Sequence, residues 1–294
     1  MELGPPSRCK RTIRWRHGAS AAALACLLML GAARPAAASV TIGQLPPTTP
    51  SATPCSSTST DYLEPSVTGG TLYIARQAGT ITSFSTRSFG AGASYTLKVF
   101  RRTMDPDVFQ VVGHAPPHTL TAGLNTFIVS VPVRSGDLLG LNAEGVSNSC
   151  TFFSSGDLVL LNPGDIPDGG SDKFTTQTDS RLNLSAVLDP SNGFTLDITR
   201  DRRLGTATVT AHVPNPGVVT LLGNGLKSGR AAKSAFGAGP VPFQVAAIGK
   251  FKRRLLRKGK VNIGASITFL PTGGDPSTQQ VTLRLKKRRT PLAL

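Results

Sequence analysis

The sequence predicts an all-β chain folded as two sandwiches in tandem. Three observations point that way. Apolar residues recur at every second position in short runs, the spacing that sends alternate side chains to opposite faces of a strand. Turn-forming residues separate the runs, and the 294-residue chain contains 31 Gly and 22 Pro. Charged residues make up only 16% of the chain and aromatics 6%, and no helical period joins one run to the next. The length suits about two domains.

The first 38 residues read as an export signal. Lys10, Arg11, Arg14 and Arg16 form a basic leader, an alanine-rich apolar stretch follows from Ala19 to Ala33, and Ala36-Ala37-Ala38 supplies the small-residue cleavage pattern. Cleavage is expected between Ala38 and Ser39. The alternative is an uncleaved anchor, but the apolar run falls short of the roughly 20 residues a bilayer span needs. After cleavage two cysteines remain, Cys55 and Cys150. In an oxidising compartment they are expected to form one disulfide, with two buried thiols as the alternative.

Residues 39–60 are rich in Pro, Ser and Thr and read as a mobile lead-in, with an edge strand after Cys55 as the alternative. From residue 61 to 189 the period-2 rows define a jelly-roll-like sandwich: Leu72 and Ile74; Tyr95, Leu97 and Val99; Phe127, Val129, Val131 and Val133; Leu182, Leu184, Ala186 and Leu188. The run Asp189-Pro190-Ser191-Asn192-Gly193 is a short joint, so the two sandwiches are expected to touch. Residues 194–290 repeat the pattern in Ala207, Val209, Ala211 and Val213; in Val241, Phe243, Val245 and Ala247; in Val261 through Phe269; and in Val281, Leu283 and Leu285. About seven strands in this length is the size of an immunoglobulin-like sandwich.

Charge divides the same way. Residues 39–192 hold 8 Lys and Arg against 12 Asp and Glu, a net of −4, whereas residues 193–294 hold 18 against 3, a net of +15. Lys250, Lys252, Arg253, Arg254, Arg257, Lys258 and Lys260 form one dense basic cluster, and Arg284, Lys286 and Lys287 lead a second. These ten residues are the candidate polyanion-binding set, with a solubilising face as the alternative. Export, and the absence of Trp and Tyr from this half for base stacking, argue against nucleic acid as the physiological partner. Anionic cell-wall polymers or polysaccharides are the expected partners, approached by long-range, salt-sensitive attraction.

A resemblance rests on Gly205-Thr206-Ala207-Thr208-Val209-Thr210, on Pro214-Asn215-Pro216-Gly217, on the basic run Lys252–Val261, on Phe269-Leu270-Pro271 and on Leu283-Arg284-Leu285-Lys286-Lys287. Together these resemble the immunoglobulin-like modules of secreted surface proteins of high-GC Gram-positive bacteria. The resemblance covers residues 194–290. It implies a fold and an extracellular, envelope-associated location, and carries over no catalytic or binding residue. Gly136-Asp137-Leu138-Leu139-Gly140-Leu141 is similar to regions paired with such modules.

Catalytic motifs are absent: no nucleophile elbow, P-loop or dinucleotide fingerprint occurs. His114 and His118 have the spacing of zinc-peptidase ligands, but Pro116 and Pro117 between them forbid the helix that spacing requires. His212 alternates outward. The chain therefore reads as a non-enzymatic envelope protein without a resident cofactor. Two alternatives stay open. A carbohydrate-binding first sandwich is one, calcium-assisted through Asp165, Asp168 and Asp172, whose carboxylates and adjacent glycines suit a Ca²⁺ loop. The other is a glycan-active hydrolase working with carboxylates drawn from Asp105, Asp107, Asp137, Glu144 and Asp157.

Overall fold

A computed structural model describes residues 39–47, 52–144, 149–227 and 229–288. The expected export segment, residues 1–38, lies outside them. The strands in chain order are β1 (Val40–Gln44), β2 (Ala52–Pro54), β3 (Thr60–Ser66), β4 (Gly79–Ser88), β5 (Ser94–Arg102), β6 (Val108–His114), β7 (His118–Thr119), β8 (Gly123–Val133), β9 (Leu138–Glu144) and β10 (Ser149–Pro163). They continue with β11 (Ser171–Lys173), β12 (Thr175–Leu182), β13 (Leu184–Pro190), β14 (Thr195–Asp201), β15 (Thr206–Val213), β16 (Gly217–Leu222), β17 (Arg230–Ala235), β18 (Gly239–Ala246), β19 (Lys260–Pro271) and β20 (Ser277–Lys286). Among the described residues one helix, α1 (Gly249–Lys258), interrupts them. The chain is all-β, built of antiparallel sheets paired as sandwiches.

In the first sandwich a four-stranded sheet, β1-β13-β4-β8, faces a larger sheet ordered β11-β6-β5-β9-β3-β10-β12, with β2 on β10 and β7 on β5. Their facing rows make one core that includes Phe84, Tyr95, Leu97, Val131, Leu141 and Leu188. The Cys55–Cys150 disulfide forms within it as expected, closing 95 residues of sequence. A second apolar cluster lies on the outer face of the larger sheet, where Ile166 and Phe174 cover Leu63, Phe100, Phe109, Val111 and Leu138.

The second sandwich opposes β14-β15-β18 to β17-β16-β19-β20. Its core is the set of alternating rows expected from the sequence: Ala207, Val209, Ala211 and Val213 against Ile263, Ala265, Ile267 and Phe269, with Leu283 and Leu285.

Four sequence expectations need correction. The lead-in is part of the sheet: β1 pairs along β13 and buries Ile42, and β2 pairs with β10, because even a five-residue alternating segment finds an open edge there. Residues 71–74 do not form a strand. Their buried member is Tyr73, whose hydroxyl donates to the carbonyls of Gln44 and Leu182, while Leu72 and Ile74 are half-buried. The row Leu182–Leu188 is two strands, since the chain changes sheets at Asn183. That buried side chain replaces the lost ladder bonds by donating to the carbonyls of Arg87 and Ser149 and accepting from Arg87 N. The densest basic run, between the rows ending at Ala247 and starting at Val261, forms the helix α1, where the sequence shows no helical period.

Candidate polyanion-binding surface

Local rules both favour and oppose the helix α1. Lys, Arg and Leu favour helix, and Arg257 and Lys258 sit well at its C-terminal end. Its first turn, however, contains no acidic residue, and the N-cap is Ile248 without a side-chain capping bond. Like charges face each other one turn apart at Lys250/Arg254, Arg253/Arg257 and Arg254/Lys258, each pair unfavourable. Docking compensates. Leu255 is buried in the core of the second sandwich and Phe251 packs beside it. Gly259 ends the helix in the left-handed region at φ 70°, its N–H bonding Leu255 O at 2.8 Å.

The result is a helix with all six of its cations on the exposed side. Lys260 follows at the start of β19. Across the ladder Lys260 stands opposite Lys286, and Asn262 opposite Arg284. Like charges directly opposed across strands destabilise a pair, a second place where charge overrides local stability. Arg284 is exposed and Lys286 half-buried, on the face opposite Leu283 and Leu285, as the alternation predicts. Lys287 N donates to Gly259 O at 2.9 Å, tying the end of β20 to the end of the helix.

Side chains from α1, β19 and β20 enclose an open groove of about 260 Å³ lined by Arg254, Lys258, Lys260, Asn262 and Arg284. None of these cations makes an ion pair with an acidic side chain among the described residues. Of the expected set the structure thus gathers four around one cavity. Lys250, Lys252 and Arg253 are elsewhere on the exposed helix, and Lys250 lies over the Phe251 ring at 5.6 Å.

Sequence reasoning missed a second group. The hairpin between β14 and β15 carries Arg200, Arg202 and Arg203, which with Arg288 line a larger groove of about 680 Å³. Arg288 N donates to Arg202 O at 2.8 Å, and Arg200 Nε donates to Arg284 O at 3.1 Å, so the two grooves adjoin. Gly205, at φ 75°, lets the hairpin approach the helix; a Cβ there would stand 3.1 Å from both the Leu255 and Lys287 side chains. Asp201 is the one acid lining this groove, and it is turned to its own hairpin. Its carboxylate accepts from Leu204 N and Arg203 N, bonds that hold its pKa below the ordinary value. The signal available in the sequence was the turn Asp201-Arg202-Arg203-Leu204-Gly205 between two apolar rows.

The other expected sites are dispersed. Asp165 lies 2.5 Å from Lys98, Asp168 2.8 Å from His114, and Asp172 accepts from Lys173 N. No group of three His, Cys, Asp or Glu among the described residues is placed to hold a metal ion, so these three carboxylates do not converge as a calcium loop requires. Among the hydrolase candidates, Asp105 and Asp107 occupy an exposed turn, Asp137 is buried against Arg101, and Asp157 is buried against Arg181. Glu144 lines an open cavity of about 460 Å³. His114 and His118 sit on strands, and the His118 ring stacks on Phe127 at 4.3 Å. His212 is exposed and shares a hydrogen bond with Asp197. No helix among the described residues is long and apolar enough to cross a membrane.

No family model and no curated protein matches the chain. Among solved structures it is similar to a β-glucuronidase of Ruminococcus gnavus at 11% identity and a TM-score of 0.21, over 76% of this chain and 36% of that one. A β-D-glucuronidase of Dictyoglomus thermophilum gives 8% identity and a TM-score of 0.19, over 81% and 45%. The chain spans less than half the length of these enzymes, and likeness at this level carries nothing over to its activity.

Proposed function

We propose that this chain is an exported, non-enzymatic cell-envelope protein held to anionic surface polymers by the basic end of its second sandwich. The observation that supports this reading most is the meeting of two cation-lined grooves at Arg200 and Arg284. Two adjoining channels suit a linear polyanion better than a compact ligand, because successive charges along a chain can each find a cation. The like-charged neighbours on α1 and across β19–β20 cost stability, and a surface that serves only solubility has no need to concentrate them. The order β14-β15-β18 against β17-β16-β19-β20 supports the immunoglobulin-like reading, with the fourth strand moved to the opposite sheet. A disulfide inside the first sandwich suits an oxidising compartment. The net acidity of that sandwich favours its facing away from an anionic surface.

The test uses residues 39–294. On a heparin column and on isolated Gram-positive cell walls the protein binds at low salt and elutes as salt rises. The double variant Arg254→Glu/Arg284→Glu elutes earlier. Retention indifferent to both salt and the variant would remove the proposal.

A further inference from the structure

The larger sheet of the first sandwich has an outer face that is only partly covered. The segment following β10 folds back over one half of it through Ile166 and Phe174. Beside this cover, over β5 and β9, an open cavity of about 460 Å³ remains. It is within the range of small-ligand sites.

The floor of the cavity is held rigidly. Asp61, fully buried on β3, accepts from Lys98 Nζ at 2.9 Å, from Asn142 Nδ2 at 2.8 Å and from Ile166 N at 3.1 Å. Lys98 also donates to Ile166 O at 2.8 Å and pairs with Asp165, and Asn142 donates to Gly164 O at 3.0 Å. Two buried side chains thus pin the segment that forms the opposite wall. Their donors are spent on that task, so recognition falls to the walls.

The walls offer acceptors. The Glu144 side chain at the end of β9 is exposed and has no hydrogen-bond or ion-pair partner among the described residues, and the same holds for the hydroxyls of Ser94 and Thr96 on β5. Asp165 is largely exposed, and Asp168 meets His114 at the rim. The carboxylates are too dispersed to converge on one ion, yet they line one cavity from different sides. With Lys98 neutralised by Asp61 and Asp165, the lining repels anions. It is too polar for a lipid.

We propose that this cavity binds a neutral, hydroxyl-rich ligand, a saccharide unit whose O–H groups donate to Glu144, Asp165 and Asp168 while Ser94 and Thr96 bond in either sense. Pro117 and Pro167 supply the apolar rim for the C–H face of a ring. The site is on the first sandwich and independent of the basic grooves.

The experiment titrates residues 39–294 with glucose, mannose, galactose and N-acetylglucosamine, and with glucuronic acid as the charged comparison, by saturation-transfer NMR. At least one neutral sugar binds, glucuronic acid binds less well, and Glu144→Gln and Thr96→Val each weaken binding about tenfold. Neither variant touches the Asp61 floor, so both keep the parental melting temperature. No binding by any of the four neutral sugars, a preference for glucuronic acid, or binding unaltered in both variants overturns the proposal.

Discussion

Asn215 grips the backbone of Ala78 from both sides, its Oδ1 accepting from Ala78 N at 2.8 Å and its Nδ2 donating to Ala78 O at 2.9 Å. Asn215 belongs to the turn between β15 and β16 of the second sandwich, and Ala78 precedes β4 of the first. The same Nδ2 reaches Ser191 O at 2.8 Å, in the joint itself. Gln77 Nε2 donates to Thr272 O at 2.8 Å and Asn192 Nδ2 to Asp275 O at 3.2 Å. The two sandwiches are thus tied by side chains reading backbone, a geometry that fixes angle as well as distance.

Asn215 is 1% exposed, so nothing from solvent replaces its bonds. Asn215→Ala leaves Ala78 N–H without a partner, at about 1–3 kcal/mol, while Ala78 O keeps the bond from Ser191 N at 2.9 Å. Urea denaturation of the variant is expected to shift to lower midpoint and separate into two transitions as the sandwiches uncouple. A single transition at the parental midpoint would show that the contact does not couple them.

How much of this was legible follows from where the information lies. The rows Ala207–Val213 and Val261–Phe269 were readable because a period-2 pattern is local and both strands bury one whole face. The disulfide was readable because Cys55 and Cys150 are the two cysteines beyond the expected export segment. The helix α1 was not, since Phe251 and Leu255 are the only side chains it turns toward the core and a two-residue stripe has no visible period. The buried Asp61 and Glu64 were equally hidden. In a strand a carboxylate reads as solvent-facing, and the groups that make its burial tolerable, Lys98 and Leu182 N, are 37 and 118 residues away. The cavity over β5 and β9 is assembled from five chain segments, which no spacing in one segment announces.

The crosslink gives a second prediction. Cys55 and Cys150 join the segment after β2 to β10, and the Tyr95 hydroxyl lies 3.3 Å from each sulfur while donating to Ser149 O at 2.9 Å. For a loop of 95 residues the chain-entropy model assigns about 4–5 kcal/mol. The double variant Cys55→Ala/Cys150→Ala is expected to lose stability of that order, measured by urea denaturation. An unchanged midpoint would mean that the first sandwich holds itself without the crosslink.

Leu255 supplies a third. It is the one fully buried residue of α1, so Leu255→Ala removes the helix's main anchor and costs about 2–5 kcal/mol. The basic groups of the helix stay in the chain but leave their groove. Retention on a polyanion column is expected to fall although net charge is unchanged. Parental retention in a variant with demonstrably lower stability would show that charge alone, without the groove, does the holding.

Glu64 makes stability depend on pH, and the sign follows from its surroundings. It is 1% exposed on β3; its Oε2 accepts from Leu182 N at 2.7 Å, and its Oε1 has no hydrogen-bond partner. Arg181 Nε stands 3.9 Å from Oε1, too far for a hydrogen bond, because Arg181 is committed to Asp157, Gln44 and Gly69. Burial pushes the Asp157 carboxyl up, but hydrogen bonds from Ser154, Thr68 and Arg181 outweigh it and hold the group below its ordinary value. Glu64 lacks that compensation, and burial raises it from 4.5 to about 8. Between those values the folded chain keeps a proton that the unfolded chain releases, so stability is greatest on the acid side and declines as pH rises through about 8. The slope from this one group is at most about 1.4 kcal/mol per pH unit. Burial raises Asp61 as well, with the same sign, so the wild-type profile alone does not isolate Glu64. The variant Glu64→Gln does: it keeps the neutral shape and is expected to flatten the decline in urea midpoints measured from pH 5 to pH 8. Parallel profiles for variant and parent would place the Glu64 proton elsewhere.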